Sequence, residues 1–247
     1  MYLLIHLGFD SIQFGLCKDG ELVEKYSHPL NNVRESEFKS FVMKNKNKIE
    51  QIYALVIDSI FSNLIDFSEK ELGLKAKRIS KDNIKIGLDS NLDLDLVDSD
   101  VLLSFWMAAP RNEDLIIVFI DNLVRVFLFS KNKIQGCAVF LSADLQIKSL
   151  VKNISRIDYF DKTEYSETLV GKNRNEAISI GIYHNQASML NEIVSQYQLV
   201  NKKDPKVLFI GEPIDELIDK KLKFKYLSNQ FYVLFAIKNF AVMDNKK

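Results

Sequence analysis

Residues 2–26 read YLLIHLGFDSIQFGLCKDGELVEKY, and residues 115–140 read LIIVFIDNLVRVFLFSKNKIQGCAVF. Each stretch is three apolar runs parted by two turns. In the first, Tyr2–Leu7, Ile12–Cys17 and Leu22–Tyr26 read as strands, separated by Gly8-Phe9-Asp10-Ser11 and Lys18-Asp19-Gly20-Glu21. An Asp-Gly pair between apolar runs is a strong hairpin signal. In the second, Leu115–Ile120, Leu123–Phe129 and Ile134–Phe140 are the strands, and Asp121-Asn122 and Ser130-Lys131-Asn132-Lys133 are the turns. An offset of 113 residues sets Ile5 on Val118, Phe14 on Phe127 and Asp19 on Asn132. The equal order of strands and turns predicts an internal duplication of a β-turn-β-turn-β unit, with helices after each copy.

Outward from the hairpins, apolar spacing predicts an amphipathic helix over 37–52, a strand over 53–57 and a short helix over 62–72. Ser99 to Ala109 is apolar, contains Trp106 and stops before Pro110, so it reads as a buried helix and a natural hinge. The expected halves are therefore 1–98 and 99–247. In the second half, helices are expected over 143–157 and 173–200, the latter capped by Asn173 with Glu176 three residues on. A strand over 206–210 and helices over 214–221 and 228–240 complete the pattern. Asp158 to Glu167 reads as a mobile loop, and Trp106 with Phe105 as core.

Composition narrows the function. The chain has 247 residues, 47% of them hydrophobic, enough to offset chain entropy and rule out disorder as the main state. Lys+Arg and Asp+Glu both number 33, and this zero net charge argues against a general nucleic-acid or anionic-membrane binder. No apolar run approaches a membrane span of roughly 18 residues. Two cysteines, Cys17 and Cys137, make no disulfide framework or metal cluster. The expected compartment is the cytoplasm. His6, His28 and His184 lack metal-ligand spacing, and there is no Walker A, G-x-G-x-x-G or nucleophile-elbow sequence.

Two facing glycine-bearing turns can grip a polyphosphate with backbone N–H groups, as in the acetate kinase, sugar kinase, Hsp70 and actin superfamily. Within it the chain resembles the type III pantothenate kinases, also called the Bvg accessory factor family. The family's D-x-G-N-T falls on His6-Leu7-Gly8-Phe9-Asp10. Its G-x-D-R falls on Asp98-Ser99-Asp100-Val101, with Ala108-Ala109 following, and its second D-x-G-T on Phe119-Ile120-Asp121-Asn122. Its G-G-x-I-x-P-G falls on residues 136–142, its G-K-x-T on Gly171-Lys172-Asn173-Arg174 with Ala177-Ile178-Ser179-Ile180-Gly181 after it, and its T-G-G on Ile210-Gly211-Glu212. The resemblance implies an α/β class with a duplicated actin-like (ribonuclease H-like) fold, two halves each holding a mixed sheet flanked by helices. It also implies a homodimer, ATP and pantothenate as substrates, and Mg²⁺ and a monovalent cation as cofactors of an active enzyme. Gly8, Asp10, Ser11, Asp121, Asn122, Gly136 and Gly211 are the implied nucleotide-binding positions, and Asp100 is the implied catalytic base.

The departures carry chemistry of their own. His6 and Phe119 stand where the family has its two metal-positioning aspartates, and magnesium prefers hard oxygen ligands. Glu212 replaces a glycine at the nucleotide edge; two like charges near 4 Å cost about 4 kcal/mol at an effective dielectric of ~20. Val101 removes the arginine beside Asp100. These losses predict a degenerate member with weak or no ATP-dependent activity and a binding or regulatory role, with a protein partner as one form of it. Two alternatives stay open: an active ATP:pantothenate 4′-phosphotransferase, and a metal held between Asp10 and Asp121. Against them, Asp favours turns in general, and Asp100 is also a favourable helix-start carboxylate.

Overall fold

The computed structural model describes residues 1–8, 11–29, 32–57, 61–108, 113–154 and 170–245. In chain order the strands are β1 (Tyr2–Leu7), β2 (Ser11–Lys18), β3 (Glu21–Pro29), β4 (Gln51–Val56), β5 (Ala76–Ile79), β6 (Gly87–Leu88), β7 (Leu115–Ile120), β8 (Leu123–Ser130), β9 (Lys133–Leu141), β10 (Lys206–Gly211) and β11 (Leu227–Asn229). The helices are α1 (Asn32–Asn45), α2 (Asn63–Leu72), α3 (Ser99–Ala108), α4 (Ala143–Asn153), α5 (Arg174–Ser179), α6 (Asn185–Asn201), α7 (Glu216–Asp219) and α8 (Tyr232–Asp244). One sheet has the order β3-β2-β1-β4-β5 and the other β11-β10-β7-β8-β9-β6. None of the described helices is long and apolar enough to cross a membrane.

The chain forms two compact units: Met1–Asn112 with Phe129–Gly136 and Asn229–Lys247, and Glu113–Leu128 with Cys137–Ser228. The expected division at 98/99 differs from this partition, because α3 and α8 pack together and lie in the first unit. In that unit β1 runs antiparallel to β2 and parallel to β4. Alternation puts Leu3, Ile5, Leu7, Ile12, Phe14 and Leu16 on one face, where they pack with Phe38 and Val42 of α1 and Leu64 and Ile65 of α2. The opposite face meets α8. A Cβ on Gly15 would stand 3.2 Å from Leu234 Cδ2 and 2.3 Å from the Glu24 carbonyl oxygen, so only glycine lets strand and helix approach there. In the second unit Ile116 and Val118 of β7, Val124 and Val126 of β8, and Val207 and Phe209 of β10 build the core with Leu190, Val194 and Tyr197 of α6.

The duplication is visible in the backbone. Asp19 and Gly20 have φ of 52° and 83°, and Lys131 and Asn132 have φ of 52° and 61°, the positive pair that tight hairpin turns require. The first strands of the two copies align at the expected 113 residues, but β2 with β8 and β3 with β9 align at 112. The second copy has one residue fewer in its first turn. Phe14 therefore matches Val126, both on helix-facing sides, and Gln13 matches Arg125. The expected pairing of Phe14 with Phe127 is a one-residue slip, which in a strand exchanges faces.

Several helix bounds differ from expectation. α1 begins earlier and ends at Asn45, whose Nδ2 donates to the Phe41 carbonyl at 3.0 Å. Gln51 and Ile52 join β4 beside Tyr2 and Leu3, because strand pairing outweighs the helical spacing of Ile49 and Ile52. The long helix is split: a π turn over Ile180–His184 separates α5 from α6. Its cap is as expected, with Glu176 N donating to Asn173 Oδ1 at 2.9 Å. α7 is a four-residue remnant of the helix expected over 214–221. The loop expected over Asp158–Glu167 lies outside the described residues.

Four buried or half-buried phenols set an alkaline limit. Burial, helped by Asp215 and Asp144, pushes Tyr183 up to about 12. Burial and the Asp219 carboxylate do the same for Tyr226, and burial alone for Tyr232, each to about 12. Tyr197, buried and bonded to Asp114, rises further. Unfolded tyrosine ionises near pH 10, so the folded chain retains protons that the unfolded chain releases. The associated stability is complete below about pH 10 and is lost as pH climbs towards 12. In an ultraviolet titration, these four of the nine tyrosines are expected to ionise last, together with loss of secondary structure.

Candidate functional site

Three of the candidate positions lie at the ends of parallel strands, where α/β sheets commonly place their ligands: Gly8 after β1, Asp121 after β7 and Gly211 closing β10. In the second unit β7 and β10 run parallel with Gly211 opposite Ile120. Gly211 has φ of 101°, and its Cα faces the Ile120 carbonyl so closely that an added Cβ would lie 2.3 Å from that oxygen. The Glu212 N–H donates to the same carbonyl at 2.9 Å. The exposed Glu212 thus belongs to the residue immediately beside the Asp121 turn.

The turn itself is built by Asp121. Its Oδ1 accepts the Leu123 N–H at 2.7 Å, and its own N–H donates to the Leu123 carbonyl at 3.1 Å. This side-chain loop is the usual reason for aspartate in a turn. Asn122 ties the turn to α4: its carbonyl accepts the Ser142 N–H at 3.0 Å, while Ser142 Oγ caps the helix by accepting from Leu145 N at 3.2 Å.

Arg125 is the residue that the sequence reading missed. It is 5% exposed on β8, where it interrupts the apolar run Leu123–Phe129. Its Nη2 lies 3.4 Å from Asp121 Oδ2, and its guanidinium carbon sits 4.9 Å from the centre of the Phe119 ring. Phe119 in turn meets Phe127 edge-on, with ring centres 6.1 Å apart. The second turn therefore contains a carboxylate, a buried guanidinium beside it and an aromatic ring under that guanidinium. A lone arginine in an otherwise apolar strand was the available signal.

In the first unit the Gly8 N–H donates to the Ser11 carbonyl at 2.9 Å, closing the β1–β2 turn. A Cβ on Gly8 would meet Ser11 Oγ at 3.3 Å. Asp10 lies outside the described residues, as do Phe9 and Ala109. His6 is buried, opposite Gln13 of β2 and beside Leu55 of β4. Asp100 is 1% exposed in the first turn of α3, where its Oδ1 accepts the Val101 N–H at 2.7 Å. Gly136, in β9, would accept a Cβ with nothing within 4 Å of it.

The family model for type III pantothenate kinase matches residues 2–196. A curated relative, the type III pantothenate kinase of Persephonella marina, is 21% identical over 249 residues and the alignment covers 96% of each chain. Among solved structures, a conserved protein of Campylobacter jejuni assigned to the Baf family of transcriptional activators superposes with a TM-score of 0.64 at 12% identity, covering 99% of this chain and 100% of that one. The ADPNP-bound activator of 2-hydroxyisocaproyl-CoA dehydratase from Clostridium difficile gives 0.56 at 10% identity, covering 99% and 95%. At such identities the structures speak for the fold alone, the duplicated actin-like architecture. The match to the family model extends over most of the chain and includes both hairpin copies, so the chain belongs to the type III pantothenate kinase family.

Proposed function

We propose that this pantothenate kinase-like protein phosphorylates pantothenate with MgATP weakly or not at all, and that it serves a binding or regulatory role. The observation that carries the reading is the buried Arg125 guanidinium beside Asp121, with Phe119 at the strand end. The family's reaction uses ATP, pantothenate and a divalent cation, for which the second turn would have to supply oxygen ligands. Magnesium takes near-octahedral oxygen ligation. Asp121 Oδ1 is engaged by a backbone N–H and Oδ2 faces a guanidinium. Among the described residues no three His, Cys, Asp or Glu side chains are grouped to hold a metal. The described donor set does not fit the ion.

Electrostatics at the turn support the same reading. Asp121 and Glu212 each bring a carboxylate to the strand end where a triphosphate would arrive, and like charges near 4 Å cost about 4 kcal/mol at an effective dielectric of ~20. Asp100 keeps the family's catalytic position, yet it is buried and its Oδ1 is turned onto its own helix backbone. A homodimer, with α3 and α6 at its interface, and a cytoplasmic setting belong to this proposal through the family.

Calorimetry with ATP and Mg²⁺, followed by a turnover assay with pantothenate and potassium, tests the proposal. The expected result is no saturation below millimolar ATP and no phosphopantothenate. Micromolar binding corresponds to roughly 8 kcal/mol. Affinity of that order, with turnover abolished by Asp100→Asn, would establish the active enzyme instead.

A further inference from the structure

Apart from the paired turns, the first unit holds a pocket of about 370 Å³ lined by Asn83, Ile84, Lys85, Trp106, Phe240, Met243 and Asp244. Its walls come from the end of α3, from α8 and from the chain following β5. The sequence reading placed Phe105 and Trp106 together in the core. Phe105 is fully buried and stacks on Phe129. Trp106 is only half-buried, and its ring stands edge-on to Phe240 with centres 6.2 Å apart at 67°. The volume falls in the range of small-molecule sites, roughly 300–1,000 Å³, which combine apolar and aromatic walls with a few polar groups.

The charges at the rim select the ligand. Asp244 is occupied: Lys77 Nζ lies 2.7 Å from its Oδ2, and the Tyr53 hydroxyl donates to the same oxygen at 3.1 Å. Lys77 cancels its charge. Lys85 is exposed and makes no ion pair among the described residues. Among the described lining residues, Lys85 therefore supplies a positive charge that no carboxylate offsets, beside two aromatic rings. We infer that this pocket binds a small aromatic carboxylate, its flat body against Trp106 and Phe240 and its anionic head at Lys85. Aromatic faces favour offset or edge-on partners, and Met243 gives the wall a side chain that adapts to the ligand's outline. This inference does not depend on the fate of the nucleotide site.

Trp106 is the chain's single tryptophan, so indole emission reports on this pocket and nowhere else. The full-length protein is titrated with phenylbutyrate and, separately, with phenylbutylamine, which has the same body and the opposite charge. The expected result is a saturable change in Trp106 emission with the acid and an affinity at least about fivefold weaker for the amine, the scale of one exposed charge pair. Lys85→Gln, at an exposed position, is expected to reduce the acid's affinity about fivefold and leave the urea midpoint unchanged. A linear, unsaturable response to the acid overturns the site. Equal affinities for acid and amine, or an unaltered Lys85→Gln titration, overturn the anionic head.

Discussion

Asp121→Asn is expected to destabilise the protein by about 2 kcal/mol at neutral pH, the scale of one hydrogen bond to a charged group, although it keeps the oxygen that accepts the Leu123 N–H. The substitution removes only the charge facing Arg125, whose side chain is 6% exposed. Breaking a largely buried ion pair costs far more than breaking an exposed one, because the remaining charge has lost water and now loses a partner as well. Arg125→Met is expected to cost somewhat less, since Asp121 is 15% exposed and retains hydration. In the double variant neither charge remains. The cycle should therefore show a coupling of roughly 1–3 kcal/mol, read from urea midpoints. Additive single effects would mean that the two groups do not act as a pair. The same experiment addresses the metal. A ligand that binds only the folded state raises its stability, so millimolar Mg²⁺ should leave the wild-type midpoint in place.

This ion pair also shows where sequence reading stopped. The duplicated hairpins were legible because alternation and turn chemistry are local: Asp19-Gly20 and Lys131-Asn132 both take positive φ, and each is flanked by apolar runs. The register between copies was less accessible. One residue is missing from the second copy's first turn, and a fixed offset of 113 carried Phe14 onto Phe127 instead of Val126. That slip hid the match of Gln13 with Arg125. Loop lengths drift without cost to a fold, while a strand's facing depends on every residue.

The helices show a second kind of limit. Asn173 and Glu176 could be read as a cap because their bonds lie within one turn. The π turn at Ile180–His184 could not, because it depends on what α5 and α6 pack against rather than on their own spacing. Trp106 was assigned to the core from its apolar neighbours. Its half-buried setting depends on α8, more than a hundred residues later, whose Phe240 meets it edge-on. The two first turns follow from the strand pattern itself, and the family resemblance adds only the chemistry expected of them.

Gly211→Ala is expected to cost about 3–5 kcal/mol, combining roughly 1–3 for a strained backbone with a similar amount for overpacking. At φ of 101° an alanine is strained wherever it stands, and here its methyl would fall 2.3 Å from the Ile120 carbonyl oxygen. That carbonyl cannot withdraw without releasing the Glu212 N–H and disturbing the Asp121 turn that follows it. Gly136 offers the contrast. Nothing lies within 4 Å of a Cβ added there, so Gly136→Ala should stay within about 0.5 kcal/mol of the parent. Both glycines occupy family motif positions, and a ligand requirement would treat them alike in the absence of nucleotide. Urea unfolding without nucleotide separates the explanations. A large loss at Gly211 and none at Gly136 means that the fold itself requires the first glycine, whether or not phosphate is ever bound. Tolerance of Gly211→Ala would instead return that glycine to the list of residues kept for a ligand, and with it the case for a working nucleotide site.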